Sequence, residues 1–464
     1  MIHLEETIEV NSPISEVFHY VADFSNLEQW DPGISTSYKL TKGPLQQGSK
    51  FKVTVSSGPM RIQMDYEVVE FLPPGRIELH GNACLMRAVD KISFHESEGG
   101  TAITWRADIS FRGWLSRGEP LMRPIMTRVG KHSMAGLKNA FSSHNSLCEQ
   151  KYFNLVADKM ILPGLLGFSS MGYHYHKRFW NPMAVSLKGQ TIVITGATSG
   201  LGRAAAFKLA KMLPRLILVG RNLKKLNQTR NAIIYETGNT DIDIQLADLS
   251  LMAEVRSLAE RLLKNEPHIN VLINNAGALF NERQVTSEGN ERSLAVLLMA
   301  PFLLTNLLTP RLEKSAPARI VNVSSGGMYT QKIYLNDLQY ETGQYEGSKA
   351  YARAKRGLVI ITELWAKKFK EKGVTINSMH PGWADTPGVV SALPVFYKLT
   401  KPILRSPEQG ADTIVWLAAS REAGSYSGLF WLDRQPHTTI VFPGTRNKPK
   451  DGVKLWRKLE TLTA

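Results

Sequence analysis

Two overlapping Tyr-x-x-x-Lys runs, Tyr345/Lys349 and Tyr351/Lys355, are the residues in this sequence best suited to moving a proton. A four-residue step sets a phenol and an ammonium on one helical face, where they can work as an acid/base pair. Gly347 lies inside the first run, where helical order is needed, whereas the second is followed by an unbroken amphipathic stretch to about Lys372. Tyr351 and Lys355 are therefore the expected pair, and Tyr345 is expected in a substrate loop or at the surface. A second chemistry is written in Gly196-Ala197-Thr198-Ser199-Gly200-Leu201-Gly202, between an apolar strand at Gln190–Thr195 and a helix from Arg203 to Met212. In that setting glycines let the backbone turn tightly and approach a pyrophosphate, whose charge is held by free helix N–H groups.

These residues need a scaffold, and from Gly189 onward the sequence alternates apolar runs with amphipathic helices. That pattern predicts an α/β fold of the Rossmann kind, a doubly wound parallel sheet covered by helices on both faces. The strand Leu216–Val219 runs into Gly220-Arg221-Asn222. An acidic residue there would bind a ribose diol, whereas Arg221, with Arg203 beside the glycine loop, offers cations to a 2′-phosphate, so NADP(H) is expected in preference to NAD(H). Farther on, Ala247-Asp248-Leu249-Ser250 would place Asp248 near an adenine edge. Asn274-Asn275-Ala276-Gly277 follows another apolar strand, and its small residues would let that strand end pass close to a cofactor.

These motifs, with Val323-Ser324-Ser325-Gly326-Gly327 closing a further strand, resemble the short-chain dehydrogenase/reductase family over residues 188–464. The resemblance implies that Lys355 bonds the nicotinamide ribose and lowers the pKa of Tyr351. Tyr351 would exchange a proton with the substrate oxygen, Ser325 would polarise that oxygen, and hydride would pass between nicotinamide and a carbonyl carbon. Family spacing also favours Tyr351, which lies 26 residues after Ser325, against 20 for Tyr345. The implied cofactor contacts are the loop residues Gly196 and Thr198 to Arg203, then Arg221, Asp248, Leu249, Asn275, Ala276 and Gly277. Tyr351, Lys355, Pro381, Gly382 and Thr386 complete them, the last three on the carboxamide side. One departure stands out: Leu297 occupies the position where the family has an Asn that helps hold a proton-relay water, and a Leu side chain neither donates nor accepts. The runs Val323–Met328, Asn336-Asp337-Leu338-Gln339 and His380–Val389 are similar to the family's dehydrogenase/reductase branch. A homo-oligomer through helices near Pro301 and Lys355 is a further implication, although a fused domain can block such faces.

Residues 1 to about 112 read instead as period-two strands, for example Arg61–Val68 and Thr101–Ala107, separated by turns at Gly58-Pro59, Pro73-Pro74-Gly75 and Glu98-Gly99-Gly100. Ser12 is expected to cap a helix with Pro13 in its first position, and Leu115 to about Gln150 reads as a long helix. Asn11-Ser12-Pro13, Val17-Phe18, Asp23-Phe24 and Trp30-Asp31-Pro32-Gly33 resemble the START-like (polyketide cyclase/dehydrase) superfamily. That implies an α+β helix-grip domain over 1–150 enclosing an apolar cavity for a hydrophobic ligand. No acid/base pair stands out in it; His80 and His95 read as solvated or structural. Residues 151–187, with Pro163-Gly164 and the aromatic basic stretch Tyr173–Trp180, are expected to link the domains and to pack either between them or against lipid headgroups. Its two nearby histidines have no companions at metal-ligand spacing.

Composition narrows the partners. The chain carries a formal net charge of +15 and a sequence pI near 9.6, which fits anionic partners or simply a solvated basic surface. No dense Lys/Arg tract interleaved with aromatics argues for nucleic acid. Two cysteines, Cys84 and Cys148, form no disulfide framework and point to a reducing cytoplasm. The amino terminus is too acidic and polar for a signal peptide, and the uncharged run Ser293–Pro310 reads as a buried core helix. The expected function is a carbonyl–alcohol oxidoreductase using NADP(H) on a lipophilic substrate, with an appended ligand-binding domain. The alternative is a lipid-binding or sensing protein whose dehydrogenase module binds cofactor but turns over little or nothing.

Overall fold

A computed structural model describes the chain except residues 32, 58–59, 85, 113–118, 142–166, 181–182, 184, 387, 389–396, 399 and 449. Expectations for Pro32, Gly58-Pro59, the ends of the long helix at 115–118 and 142–150, Cys148, Pro163-Gly164, Pro387 and Val389 lie outside the described residues. The chain forms two compact units. One comprises Met1–His144 with Arg178–Ser186 and Tyr235–Gly238; the other comprises Asn145–Lys177, Leu187–Ile234 and Asn239–Ala464.

In the first unit, β1 (Ile2–Val10) is followed by α1 (Ile14–Ala22) and α2 (Leu27–Trp30). Then come β2 (Ile34–Lys39), β3 (Lys50–Ser57), β4 (Met60–Leu72), β5 (Arg76–Asn82), β6 (Met86–Ser97), β7 (Gly100–Phe111) and α3 (Glu119–Ala140). The strands form one antiparallel sheet in the order β1-β7-β6-β5-β4-β3-β2. This is the helix-grip arrangement, with α3 lying against β1. Burial alternates along β6, as period-two side chains require. Pro13 is not the first helical residue but the N-cap, because its extended ψ of 143° keeps it outside α1.

The core of this unit is aromatic. Phe24 stacks on Trp105 with ring centroids 5.8 Å apart, and Trp30 meets Trp105 edge-on at 5.5 Å. Inside it lies a polar group that pattern reading passed over: Asp90 is buried and accepts from Trp105 Nε1 at 2.8 Å. Burial raises its pKa to about 6; hydrogen bonds from Trp105 and Tyr66 oppose the shift, and nearby Asp31 adds to it.

The second unit carries α4 (Ser170–Lys177), β8 (Thr191–Thr195), α5 (Gly200–Ala210), β9 (Arg215–Gly220), α6 (Leu223–Thr237) and β10 (Ile242–Leu246). The chain continues through α7 (Met252–Asn265), β11 (Val271–Asn274), α8 (Arg292–Lys314), β12 (Ala318–Val323), α9 (Gly347–Phe369) and β13 (Val374–Met379). It ends with α10 (Pro407–Ala419), β14 (Phe430–Leu432), β15 (Gln435–His437) and α11 (Asp451–Leu462). The sheet order is β10-β9-β8-β11-β12-β13-β14-β15, parallel except for β15. Strand order reverses between β8 and β11, the switch point at which doubly wound sheets open a crevice at the carboxyl ends of their strands. Central strands such as β8 and β11 are buried at every position, as a sheet covered on both faces demands.

Among the described residues, α8 is the one helix long and apolar enough to cross a membrane, and 72% of that apolar window is buried within the fold. Its second turn is π-helical over Ala295–Met299. Beneath the crevice a chain of buried amides joins the elements. Asn274 Nδ2 donates to Asn322 Oδ1 at 2.8 Å, Asn322 Nδ2 to Thr362 Oγ1 at 2.9 Å, and Thr362 Oγ1 to the Leu358 carbonyl at 2.8 Å.

Candidate active site

The crevice at the switch point is a cleft of about 990 Å³. The glycine loop forms its floor because nothing larger fits. A Cβ on Gly196, whose φ is +68°, would lie 2.8 Å from the Ala276 Cα, and one on Gly202 would lie 2.3 Å from Asn275 Nδ2. Helix α5 begins already at Gly200, and Ser199 as N-cap spends no side-chain hydrogen bond on it. Backbone N–H groups of that first turn are thus available to an anion. Asn275 braces the opposite side, donating from Nδ2 to the Thr195 carbonyl at 2.8 Å, while Thr195 Oγ1 accepts from the Asn275 and Ala276 N–H groups at 3.0 Å each. This cradle fits a dinucleotide pyrophosphate.

Almost every residue expected at the cofactor lines this cleft: Gly196, Thr198–Gly202, Arg221, Asp248, Leu249, Asn275–Gly277, Tyr351, Lys355, Pro381, Gly382 and Thr386. Arg203 is the exception. Its guanidinium lies 4.5 Å over the Phe207 ring, one helical turn along α5, and does not line the cleft. Asn222 and Lys225, which sequence reading missed, stand with Arg221 instead. Lys225 was findable in principle, four residues beyond Arg221 at the start of α6. Asp248 bonds its own loop, accepting from Ser250 N at 2.9 Å and Ser250 Oγ at 2.8 Å. Burial opposes its ionisation, but those bonds and the charges of Arg221 and Arg292 hold its pKa below the usual carboxylate value.

The competing Tyr-x-x-x-Lys runs separate cleanly. Gly347 is the first residue of α9, and a Cβ there would lie 2.0 Å from the Phe280 carbonyl oxygen. Tyr345 therefore precedes the helix and shares no helical face with Lys349. Its hydroxyl donates to Glu291 Oε1 at 2.9 Å, and Lys349 pairs with Glu346 at 2.5 Å. Tyr351 and Lys355 both lie within α9 and face the cleft, with Lys355 Nζ 5.9 Å from the Tyr351 ring centroid. Burial raises the Tyr351 pKa, while the nearby Ser325 side chain pulls it down. Lys355 is 2% exposed, donates to the Val323 carbonyl at 2.6 Å, and is pushed by burial down to about 7.

Leu297 sits in the π-helical turn, fully buried beside this pair. A Cβ on Gly277 would lie 2.9 Å from Leu297 Cδ2 and 3.6 Å from Lys355 Nζ. Gly277 thus leaves the room that Leu297 and the lysine head share. The far wall was not legible from motifs. Phe168, Trp383 and His380 line it, and Phe168 meets His380 edge-on at 4.5 Å. Burial first, then the charges of His437 and Arg405, hold the His380 pKa well below its ordinary value, so this ring is neutral.

A hydroxyl, a phenol and a lysine lining one cleft with an anion cradle can bind a nicotinamide dinucleotide and exchange a proton at a substrate oxygen. Comparison with known proteins agrees. Residues 190–393 match the family model described as short chain dehydrogenase, and residues 1–142 match that of polyketide cyclase / dehydrase and lipid transport. Human dehydrogenase/reductase SDR family member 12 is 39% identical over 303 residues, covering 64% of this chain and 95% of that protein. Human retinol dehydrogenase 12 is 35% identical over 274 residues, covering 59% of this chain and 85% of that protein. Among solved structures, a short chain dehydrogenase from Shigella flexneri complexed with NADP is 27% identical with a TM-score of 0.44, covering 53% of this chain and 96% of that one.

Proposed function

The chain belongs to the short-chain dehydrogenase/reductase family, and we propose that it interconverts a carbonyl and an alcohol on a lipophilic substrate using NADP(H). The observation that carries this reading is the convergence of Ser325, Tyr351 and Lys355 in the same cleft as the glycine cradle, with Ser325 near enough to pull the Tyr351 pKa down. The bound dinucleotide supplies or accepts the hydride. In reduction, Ser325 holds the substrate oxygen and Tyr351 gives it a proton. Lys355, in a site this dry, lowers the cost of the phenolate left behind. The preference for NADP(H) rests on Arg221, just after β9, and Lys225, at the start of α6, where an acidic side chain would repel a 2′-phosphate. The lipophilic substrate is supported by Leu279, Phe280, Phe168 and Trp383 along the cleft and by the kinship to proteins named retinol dehydrogenases.

The START-like unit serves as a binding module for a hydrophobic ligand. A mass-spectrometric search for lipid retained by the purified full chain, repeated after solvent extraction and reloading, tests that role; a chain that never retains any refutes it. The main test is NADPH oxidation with hydrophobic aldehydes and ketones, retinaldehyde included, by wild type and Tyr351→Phe. Turnover that the variant loses by a factor of about 10²–10⁴ supports the assignment. Leu297 favours a second reading, a cofactor-binding sensor, because the side chain that would hold a relay water is apolar. Tight NADPH binding without turnover across the whole panel would select that reading.

A further inference from the structure

We propose that Phe168, which reaches the cleft from outside the span matched by the dehydrogenase family model, is a specificity-determining residue, and that Arg405 is the residue that positions it. The inference rests on the carbonyl–alcohol reading for its rate assay. The Phe168 ring packs against the backbone next to the reacting groups: a Cβ on Gly326, the neighbour of Ser325, would lie 3.3 Å from its Cε2. The ring also meets Trp383 edge-on at 5.9 Å. A substrate whose oxygen lies between Ser325 and Tyr351 therefore has this aromatic pair beside the substituent on its carbonyl carbon. The class it fits carries an extended hydrocarbon chain there, since the Phe168 ring offers no hydrogen bond in exchange for water and the Trp383 ring is largely apolar.

What makes Phe168 more than a chance neighbour is how its backbone is held. Arg405 is 1% exposed, and its guanidinium grips three successive carbonyls, those of Gly167 at 2.6 Å and of Phe168 and Ser169 at 3.1 Å each. The same fork is bidentate to buried Asp433, at 2.5 and 2.7 Å. Burial works against ionisation of Asp433, yet Arg405 and His176 hold its pKa down to about 2. The Phe168 carbonyl accepts a further bond from Trp383 N at 2.7 Å. Gly382, with φ of +73°, completes the fit, because a Cβ there would lie 2.4 Å from Arg405 Nε and 2.7 Å from the Phe168 carbonyl oxygen. A buried ion pair is costly to desolvate and adds little stability over an apolar core. Its directional donors do fix one loop on another, and here they fix Phe168 on the Pro381–Trp383 turn.

The test compares straight-chain aldehydes from propanal to decanal with NADPH and the full chain. Phe168→Ala is expected to lower the ratio of kcat/KM for decanal to that for propanal about ten-fold, and Phe168→Leu to restore most of it. Arg405→Lys, which keeps the charge but loses the planar fork, should lower the same ratio. A loss equal at every chain length would mark Phe168 as merely structural and overturn the proposal. Calorimetric titration of the NADPH-saturated full chain with decan-1-ol decides the matter even if no aldehyde is turned over. A dissociation constant at least five-fold weaker in Phe168→Ala supports the wall, whereas an unchanged one, or no binding by wild type, overturns it. Absent turnover alone counts against the carbonyl–alcohol reading, not against this one.

Discussion

Replacing Lys355 with Met should make the nucleotide-free protein more stable at neutral pH while it destroys activity. Lys355 titrates near 7 in the folded chain because burial penalises its charge, against 10.5 for an exposed lysine. With a folded pKa below the unfolded one, the unfolded chain holds more protons between those values, so stability rises as pH rises from 7 towards 10.5. At pH 7 the penalty relative to a neutral side chain is about 4 kcal/mol, and by pH 9.5 it has fallen to about 1 kcal/mol. Against this, Met leaves the Val323 carbonyl without its donor, a loss of about 1–3 kcal/mol. The net gain at pH 7 is about 2 kcal/mol, or roughly 4–8 °C in the melting temperature of a domain this large. By pH 9.5 the gain should be gone or slightly reversed. Thermal unfolding of wild type and Lys355→Met, both stripped of nucleotide, across pH 7 to 9.5 measures this. A variant no more stable than wild type at pH 7, or a difference that does not shrink with pH, would refute the idea that desolvation of Lys355 dominates its energetics.

Three further outcomes follow from the same geometry. Arg221→Ala should weaken NADPH binding about 10–100-fold, the loss of one charge-assisted contact, and leave NADH binding nearly unchanged; titration with both nucleotides checks the ratio. Ser325→Ala should lower kcat in NADPH oxidation about 10–10³-fold with a smaller change in KM, since the hydroxyl acts on the developing oxygen charge. Asp90 has its folded pKa raised from 3.8 to about 6, so the stability linked to its protonation is full below 3.8 and lost as pH rises through 6. Asp90→Asn should therefore add up to about 3 kcal/mol of stability at pH 7.5 and nothing at pH 3.5, read by denaturant unfolding of the full chain.

The glycine loop, the Ser325 strand end and the Tyr351/Lys355 pair were legible because each combines a local motif with the element that displays it. Gly347 inside the first run and the spacing from Ser325 separated Tyr351 from Tyr345, and the start of α9 at Gly347 gives the steric reason. Arg203 lies outside the cleft for an equally local cause: a long side chain at the start of a helix has its own helical neighbours, and its guanidinium lies over Phe207. Asp90 could have been found, since it alternates in phase with Ala88 and Ile92 on the buried face of β6. Phe168 could not. Its role depends on Arg405 and Asp433, each more than two hundred residues away along the chain, and no periodicity encodes such a meeting.

The buried amides of Asn274 and Asn322 carry one more consequence. A methyl group tolerates many neighbours, but an amide in hydrocarbon tolerates few, and these two find each other and Thr362 in one alignment of β11, β12 and α9. Sliding either strand by a residue would leave donors facing oil, at a cost that apolar side chains could not impose. The separation between the serine on β12's exit and the tyrosine on α9 is thereby ruled by chemistry hidden one layer below the cleft, and mutations there should blur the site without touching it.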